Sequence, residues 1–291
     1  MARSRGEMAT PVQTARRTHA VVRRAAGHPW LELMERAGYI ARGVLYAVMG
    51  LLAFGVAGGL GGSATDQSGS LVALAGAPPG RALLLAFAVG LGAYSIWGFV
   101  RAIFDPMHRG DDATGIVERL GFAWSGIAYA GLALFALGLF MGASKPASQD
   151  ATQSTIAKIL AYPAGELAVV LIGLVSVSVG LWQFFEAFRA KFKHDFKREQ
   201  MTEAQEKLVF GLGRLGMVAR GVTFTLVGWF ILQGGLHRDP GRVRGYGGAF
   251  MWLMTQPHGH MLLGIVAIGF IALGLHSFAA ARWIRLLGTR K

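Results

Sequence analysis

Long apolar stretches without charged residues recur along this 291-residue chain. Six of them run for 17 to 37 residues without Asp, Glu, Lys or Arg, and a helix of about 20 apolar residues crosses the hydrocarbon core of a bilayer. The stretches are continuous rather than alternating, and a helix satisfies its own backbone hydrogen bonds in lipid. The pattern predicts six transmembrane helices, near residues 37–59, 81–103, 119–142, 165–188, 214–236 and 260–284.

An internal repeat organises these six helices. The stretch from Arg36 to Gly50 returns in related form from Arg119 and again from Arg214, at spacings of 83 and 95 residues. In each copy the glycine of a Pro-x-Gly motif follows the first arginine by 44 to 46 residues. These motifs begin at Pro78, Pro163 and Pro257. Three copies of one two-helix unit therefore account for nearly the whole chain.

The composition is that of a membrane protein and excludes several kinds of active site. Hydrophobic residues make up 53% of the chain and charged residues only 15%, which is unusual for a soluble domain. The sequence has no cysteine, so disulfides, thiolate metal sites and cysteine nucleophiles are excluded. It also lacks a convincing Ser-His-Asp, phosphate-loop or paired-carboxylate motif. We therefore expect no enzyme activity and no cofactor.

The basic residues are distributed unevenly across the predicted membrane. Of the 29 Lys and Arg, six fall on the loops after the first, third and fifth helices. They are Arg81, Lys145, Lys158, Arg238, Arg242 and Arg244. The other 23 lie on the tails, on the two remaining loops or at helix ends beside them. This positive-inside bias predicts a multi-pass protein of the cytoplasmic (inner) membrane with both termini in the cytoplasm. Topology and anionic lipid headgroups account for the net charge of +13, so we expect no nucleic-acid partner.

The repeats and the spans together predict an all-α fold. Because each unit crosses the membrane twice, all three units start from the same side. We expect a bundle of six transmembrane helices built from three parallel two-helix repeats with pseudo-threefold symmetry. The expected boundaries are a basic cytoplasmic tail at 1–35, repeats at 36–104, 119–188 and 214–285, a basic cytoplasmic linker at 189–213 and a cytoplasmic C-terminus at 286–291.

The connecting segments carry helix signals of their own. A short interfacial helix is expected from Pro29, with Trp30 as its membrane-surface anchor. The spacing of Thr202 and Gln205 predicts a capping box that opens a short amphipathic helix. Apolar residues before each Pro-x-Gly motif predict three further short helices on the outer face.

Small residues line one face of the first helix in each repeat, at the spacing i, i+4, i+7. In lipid, small residues allow two helix backbones to approach closely. We interpret this face as a helix-packing seam, and a smooth pore lining is the alternative. The residues are Gly43, Ala47, Gly50, Gly126, Ala130, Ala133, Gly221, Thr225 and Gly228.

Four ionisable residues are predicted to be buried. Arg42 and Arg220 each lie six residues beyond the first arginine of their repeat, about 9 Å further along a helix, and such groups are functional candidates. The structural alternative is snorkelling or an ion pair, of Arg42 with Asp105 and of Arg220 with Glu186. His276 stands where the other repeats have Trp, and is either a packed, hydrogen-bonded residue or a proton relay.

Three histidines could meet at the outer mouth of the third repeat. They are His237, His258 and His260. This pattern is a weak signal for a metal site, so they are retained as candidates while no metal is expected.

The third repeat carries the motifs of a known family. It begins with Gly-Arg-x-Gly-x-x-Ala-Arg-Gly from Gly213 to Gly221, followed by His-Arg-Asp-Pro from His237 and Gln-Pro-His-Gly from Gln256. In these motifs the chain resembles, over roughly residues 34–286, the bacterial membrane-protein family catalogued as domain of unknown function 1206. The resemblance implies three tandem two-helix units and brings no activity, substrate or catalytic residue. The second repeat departs from the pattern, because Trp124-Ser125 replace Ala-Arg.

Two functional classes remain open from the sequence. The first is a non-enzymatic scaffold or partner-binding protein, whose partner is another membrane protein or a second copy of this chain. The second is a passive or proton-coupled conduit for a small solute or ion along the pseudo-threefold axis. A water-accessible cavity lined by the buried ionisable residues would favour the second class.

Overall fold

The computed structural model describes residues 29–105, 112–143 and 148–285. Within these ranges the chain forms nine α-helices and no β-strand. In chain order they are α1 (Pro29–Ala57), α2 (Gln67–Ala75), α3 (Gly80–Phe104), α4 (Ala113–Phe140), α5 (Ser148–Leu160), α6 (Gly165–Arg189), α7 (Glu203–Leu236), α8 (Tyr246–Met254) and α9 (Gly259–Trp283). All except α2, α5 and α8 are long and apolar enough to cross a membrane. The prediction of an all-α bundle with six spans is confirmed.

The second span of each repeat begins at the glycine of its Pro-x-Gly motif. These glycines are Gly80, Gly165 and Gly259. A Cβ atom at any of them would lie 2.5 to 2.8 Å from a carbonyl carbon five or six residues earlier in the chain, closer than non-bonded atoms can approach. The tight turn from each short outer helix into the next span therefore requires glycine at this position, because glycine has no side chain.

Two of the spans begin earlier than predicted. The separate interfacial helix expected at Pro29 is not formed, because α1 runs from Pro29 to Ala57 without a break. The capping box of Thr202 and Gln205 is present, with Gln205 N–H donating to Thr202 Oγ1 at 3.3 Å and Thr202 N–H donating to Gln205 Oε1 at 3.0 Å. The helix that it opens, α7, continues to Leu236. The sequence offers no proline to stop either helix at the membrane surface.

Some predicted features fall outside the residues that the structure describes. The basic tail before Pro29, the side chain of Trp30 and the C-terminus after Arg285 belong to this group.

The closest helix contacts join one repeat to the next. The second span of each repeat packs along the first span of the following repeat, and α9 packs along α1 to join the last repeat to the first. At equivalent points of the three interfaces, a Cβ atom built on a glycine would lie only 2.8 to 3.2 Å from a carbonyl oxygen of the opposite helix. The three pairs are Gly43–Gly274, Gly126–Ser95 and Gly221–Gly180. This threefold recurrence is the pseudo-symmetry that the repeats predict.

Contacts within a repeat are looser and differ between the repeats. In the first and third repeats the two spans meet where a small residue faces a glycine, at Ala41–Gly90 and Ala219–Gly269. The equivalent residues of the second repeat are Trp124 and Val175, which are 69% and 60% exposed. Spans α4 and α6 accordingly do not pack closely along each other over their described lengths. The ring of six helices is therefore open at one place, which we call the open seam, between α4 and α6 at Trp124 and Val175.

The close approach of α9 to α1 gives a first prediction. Replacement of Gly274 by Leu should force the two helices apart, because its Cβ would lie 2.8 Å from the Gly43 carbonyl oxygen and 2.9 Å from the Ala47 amide nitrogen. We expect the free energy of unfolding in detergent micelles to fall by about 1–3 kcal/mol, measured by denaturant titration. Gly131→Leu is the matched control, because a Cβ at Gly131 meets no atom within 4 Å among the described residues. Equal stability of the two variants would contradict the packing described here.

Candidate functional site

A cavity of about 190 Å³ lies inside the bundle. Its lining includes Tyr39, Phe122 and Met217, which occupy equivalent positions in the first spans of the three repeats. The cavity therefore lies at the pseudo-threefold axis. It extends toward the end of the bundle at which α1, α4 and α7 begin, which we call the N-terminal face. Among the described residues, those of α6 contribute nothing to the lining.

Arginine side chains give this cavity an excess of positive charge. Arg42, Arg101 and Arg220 line it from within three different spans, and the same spans contribute one carboxylate, that of Glu35. At the N-terminal face the lining adds Asp195 and Arg285. Arg285 also forms an ion pair of 2.5 Å with Glu199. The pKa of Glu199 is lowered by hydrogen bonding to its backbone and by the neighbouring Arg285. The charge surplus is therefore concentrated on the three deeper arginines.

Four tyrosine rings surround the guanidinium of Arg42. Its central carbon lies 5.4 Å from the ring centre of Tyr39, 5.8 Å from that of Tyr46, 4.8 Å from that of Tyr94 and 5.3 Å from that of Tyr129. The electron-rich ring faces attract the cation, and Nη1 also donates a hydrogen bond to the Tyr94 hydroxyl. The Nε atom is buried and has no hydrogen-bond partner among the described residues.

An aromatic layer lies deeper in the bundle than the cavity lining. It consists of Tyr46, Tyr129 and Phe224, again at equivalent positions of the three repeats. The hydroxyl oxygens of Tyr46 and Tyr129 are 3.2 Å apart, and the Arg220 guanidinium lies 5.6 Å from the Phe224 ring and 6.0 Å from the Tyr46 ring. Behind this layer the ring of Phe270 stacks on Tyr46 at 6.2 Å. The cavity is therefore one-sided and ends at the arginines.

Glu35 is held by a neighbouring indole. Trp97 is 1% exposed, and its Nε1–H donates to Glu35 Oε1 at 2.8 Å. The second oxygen of this carboxyl group is buried without a hydrogen-bond partner among the described residues. The guanidinium of Arg101 lines the same cavity, 4.7 Å from the Phe122 ring and 5.5 Å from the Tyr94 ring. Its Nε atom likewise has no partner in the described part of the chain.

His276 is a packed residue at the cavity wall. Its Nδ1 lies 2.9 Å from the carbonyl oxygen of Val209, and its ring is 5.4 Å from the rings of both Phe192 and Phe196. These phenylalanines belong to the segment after α6, which is anchored across the N-terminal face by a hydrogen bond of 2.7 Å from Lys197 N–H to the Trp283 carbonyl oxygen. The segment thus covers part of the cavity mouth with aromatic side chains.

The structure brings together three of the four buried ionisable residues that the sequence suggests. Arg42, Arg220 and His276 line the cavity, whereas Glu186 of α6 is absent from the described lining. Arg42 contacts tyrosines, and Arg220 lies near the rings of Tyr46 and Phe224. The suggested ion pairs with Asp105 and Glu186 stay predictions.

Sequence reasoning missed Glu35, Arg101 and Tyr94. The expected boundaries place Glu35 in the segment before the first repeat and Arg101 near the end of that repeat, and neither is singled out as buried. Glu35 and Arg101 both lie inside a helix that is longer than its charge-free stretch. The depth of such residues in the membrane depends on the packing of neighbouring helices.

The three candidate metal-binding histidines are not brought together as a ligand set. His237 Nδ1 lies 3.0 Å from the Gln233 carbonyl oxygen, and His260 Nδ1 lies 2.8 Å from the Ala57 carbonyl oxygen. His258 directly precedes α9 and has a positive φ of 61°. Within the described ranges, no group of three or more His, Asp or Glu is placed to hold a metal ion.

The hydrogen bond between Trp97 and Glu35 gives a second prediction. Trp97→Phe should leave a buried carboxyl oxygen without its donor and lower the free energy of unfolding in micelles by about 1–3 kcal/mol. Trp182→Phe is the control from the equivalent position of the second repeat, because Trp182 is 42% exposed and should tolerate the change. A loss of stability of the same size in both variants would contradict a specific role for the Trp97 indole.

Comparison with known proteins agrees with the repeat architecture. Residues 37–105, 120–190 and 215–283 match the family model described as Domain of Unknown Function (DUF1206). The chain is 33% identical over 249 residues to the Uncharacterized protein YxxB of Bacillus subtilis strain 168, an alignment that covers 86% of this chain and 90% of that protein. No solved structure matches the chain. With three tandem matches and a relative aligned over most of its length, the chain belongs to the DUF1206 family.

Proposed function

We propose that this membrane protein binds a small anion, or the anionic group of a larger ligand, in its axial cavity without catalysing a reaction on it. The observation that carries the proposal is the charge of the lining. The lining carries four arginines, Arg42, Arg101, Arg220 and Arg285, against the two carboxylates of Glu35 and Asp195. A ligand that supplies negative charge would balance this surplus.

The energetics of buried charge support an anionic ligand. Arginine stays protonated under physiological conditions, and an unbalanced charge within the membrane is costly. Packing alone would be served better by apolar side chains of similar volume, so a purely structural explanation for three buried guanidinium groups is weak. The Nε atoms of Arg42 and Arg101, which have no hydrogen-bond partner in the described part of the chain, offer donors to oxygen atoms of a ligand.

The local hydrogen bonding favours binding over catalysis. Ser277 and His276 are neighbours in the lining, but the serine hydroxyl donates to the Leu273 carbonyl oxygen at 2.8 Å and His276 Nδ1 contacts the Val209 carbonyl. The two side chains are therefore not arranged as a nucleophile with its base. We propose a non-enzymatic role.

A conduit along the axis is the second candidate function. Its support is the position of the cavity, which is lined by equivalent residues from all three repeats. Passage to the opposite face would require the layer of Tyr46, Tyr129 and Phe224 to open. A scaffold has less support, because binding to a protein partner does not require a charged cavity inside the membrane.

The orientation that we propose places the N-terminal face in the cytoplasm and the protein in the bacterial cytoplasmic membrane. Its support is that the sequence assigns 23 of the 29 Lys and Arg to the tails, to the loops after the second and fourth spans or to helix ends beside them, as the positive-inside rule requires. Anionic headgroups of the inner leaflet are then the nearest source of negative charge.

The charge of the cavity gives a third prediction. In nanodiscs of phosphatidylcholine, the protein should bind at least one of three probes: inorganic phosphate, acetate or dioctanoyl phosphatidylglycerol. The double variant Arg42→Gln/Arg220→Gln should bind that probe at least about tenfold more weakly, because hydrogen bonds to charged groups contribute about 1.5–3 kcal/mol each. Calorimetric titration measures both affinities.

Arg81→Gln is the control for this experiment, because Arg81 is exposed at the opposite end of α3 and contacts Phe140. Binding by this variant should equal that of the unaltered protein. If the unaltered protein binds none of the three probes, or if the double variant binds as well as it does, the proposed function is wrong.

The proposed orientation gives a fourth prediction, which the absence of native cysteine makes simple to test. A membrane-impermeant maleimide should label Ala77→Cys in intact cells, because Ala77 is exposed in the turn between α2 and α3. Gln200→Cys, exposed near the start of α7, should be labelled only after the cells are permeabilised. The reverse labelling pattern would place the N-terminal face outside the cytoplasm.

A further inference from the structure

We infer that the anionic ligand is a lipid, with its headgroup in the axial cavity and its acyl chain in the open seam between α4 and α6. This inference rests on the proposed function and specifies its ligand. Two independent observations support this inference. The first is the cationic cavity, and the second is the missing packing contact between α4 and α6 of the second repeat.

The open seam follows from two side chains. The first and third repeats close their hairpins by packing Ala41 on Gly90 and Ala219 on Gly269. Trp124 and Val175 occupy these positions in the second repeat and are too large for the same approach, and both are largely exposed. The seam lies between two membrane-spanning segments, where the surrounding medium is lipid.

The cavity wall nearest the seam combines apolar side chains with Arg220 of α7. Phe122 of α4 and Met217 of α7 line the cavity on the two sides of the gap, and no described residue of α6 lies between them. The guanidinium groups of Arg42 and Arg101 and the carboxyl group of Glu35 come from α1 and α3, on the other side. A headgroup held by the three arginines would leave the acyl chain beside Phe122 and Met217, toward the seam.

The size and the mouth of the cavity favour a lipid over a free ion. A volume of about 190 Å³ equals roughly six water molecules in the liquid, which suits a polar headgroup and excludes long acyl chains. Aromatic side chains of the segment after α6, Phe192 and Phe196, line the mouth. Entry from the side, through the seam, avoids this covered face and keeps the acyl chain in the hydrocarbon region throughout.

Photocrosslinking tests this inference. The full-length protein is placed in phosphatidylcholine nanodiscs with a trace of phosphatidylglycerol that carries a diazirine in one acyl chain, or with phosphatidylcholine labelled in the same way. We expect the phosphatidylglycerol probe to label peptides of α4 and α6 around Trp124 and Val175 at least fivefold more than the phosphatidylcholine probe does. Arg42→Gln/Arg220→Gln should abolish this preference, and Arg81→Gln should preserve it.

A second variant leaves every charge in place. Trp124→Ala/Val175→Gly restores the small residues of the other two repeats, so that α4 and α6 can pack and the seam narrows. Labelling of α4 and α6 by the phosphatidylglycerol probe should fall to the level of the phosphatidylcholine probe. Unchanged labelling in this variant would overturn the proposed location of the acyl chain, even if the arginine variant failed to fold.

The outcomes separate this inference from the proposed function. If phosphate or acetate binds in an arginine-dependent way while the two lipid probes label the seam equally, the ligand is a free anion and the lipid inference is wrong. Selective labelling confined to other helix faces would also overturn it. If no probe of either kind binds in a way that depends on Arg42 and Arg220, the proposed function itself fails.

Discussion

Close approach of helix backbones is the interaction on which this structure depends. In a bilayer the burial of apolar side chains does not drive helices together, because lipid is equally apolar. Each interface between successive repeats therefore has a glycine at which an added Cβ atom would lie only about 3 Å from a carbonyl oxygen of the opposite helix, as at Gly43–Gly274 and Gly221–Gly180. The third such interface adds a direct hydrogen bond, in which Ser95 Oγ donates to the Gly126 carbonyl oxygen at 2.7 Å. Because α9 packs on α1 in the same way, the ends of the chain join and the six spans surround a common axis.

This shared framework places different chemistry at equivalent positions. Ser125 of the second repeat occupies the position equivalent to Arg42 and Arg220. His276 of the third repeat occupies the position equivalent to Trp97. A symmetric framework thus holds an asymmetric site, in which positive charge comes mainly from the first and third repeats. The second repeat contributes the open seam. The features that we connect with function are those in which the repeats have diverged, and the features that hold the bundle together are those that they share.

The sequence predicts the fold better than the site for a physical reason. Charge-free stretches and repeated glycines report directly on membrane spans and helix contacts, because lipid imposes these requirements on each span separately. Helix ends were less certain, since α1 and α7 extend beyond the apolar stretch by up to eleven residues and only packing decides whether they continue.

The depth of an ionisable group was the harder inference. Glu35 and Arg101 lie near the ends of their spans in sequence and are buried because α1 and α3 cross and enclose them with Trp97. The departure at Trp124 was visible in the sequence, but its consequence, a hairpin that does not close, requires knowledge that Ala41 and Ala219 face glycines. Pairwise contacts of this kind cannot be derived from one repeat considered alone.

The central claim is that three hairpins of common polarity surround one axis, with the last span packed along the first. A disulfide between Ala57→Cys and Gly264→Cys tests it most directly, since a Cβ on Gly264 would lie 3.9 Å from that of Ala57, within the range of about 3.5–4.5 Å that a disulfide requires. The control is the pair Gly92→Cys/Ala133→Cys, which joins α3 to α4. A Cβ on Gly92 would also lie 3.9 Å from that of Ala133, so this pair gives the yield of oxidation expected for two packed spans. Our account predicts that both disulfides form with similar yield. Formation of the second disulfide without the first would show that the last span does not pack on the first, and would contradict this arrangement.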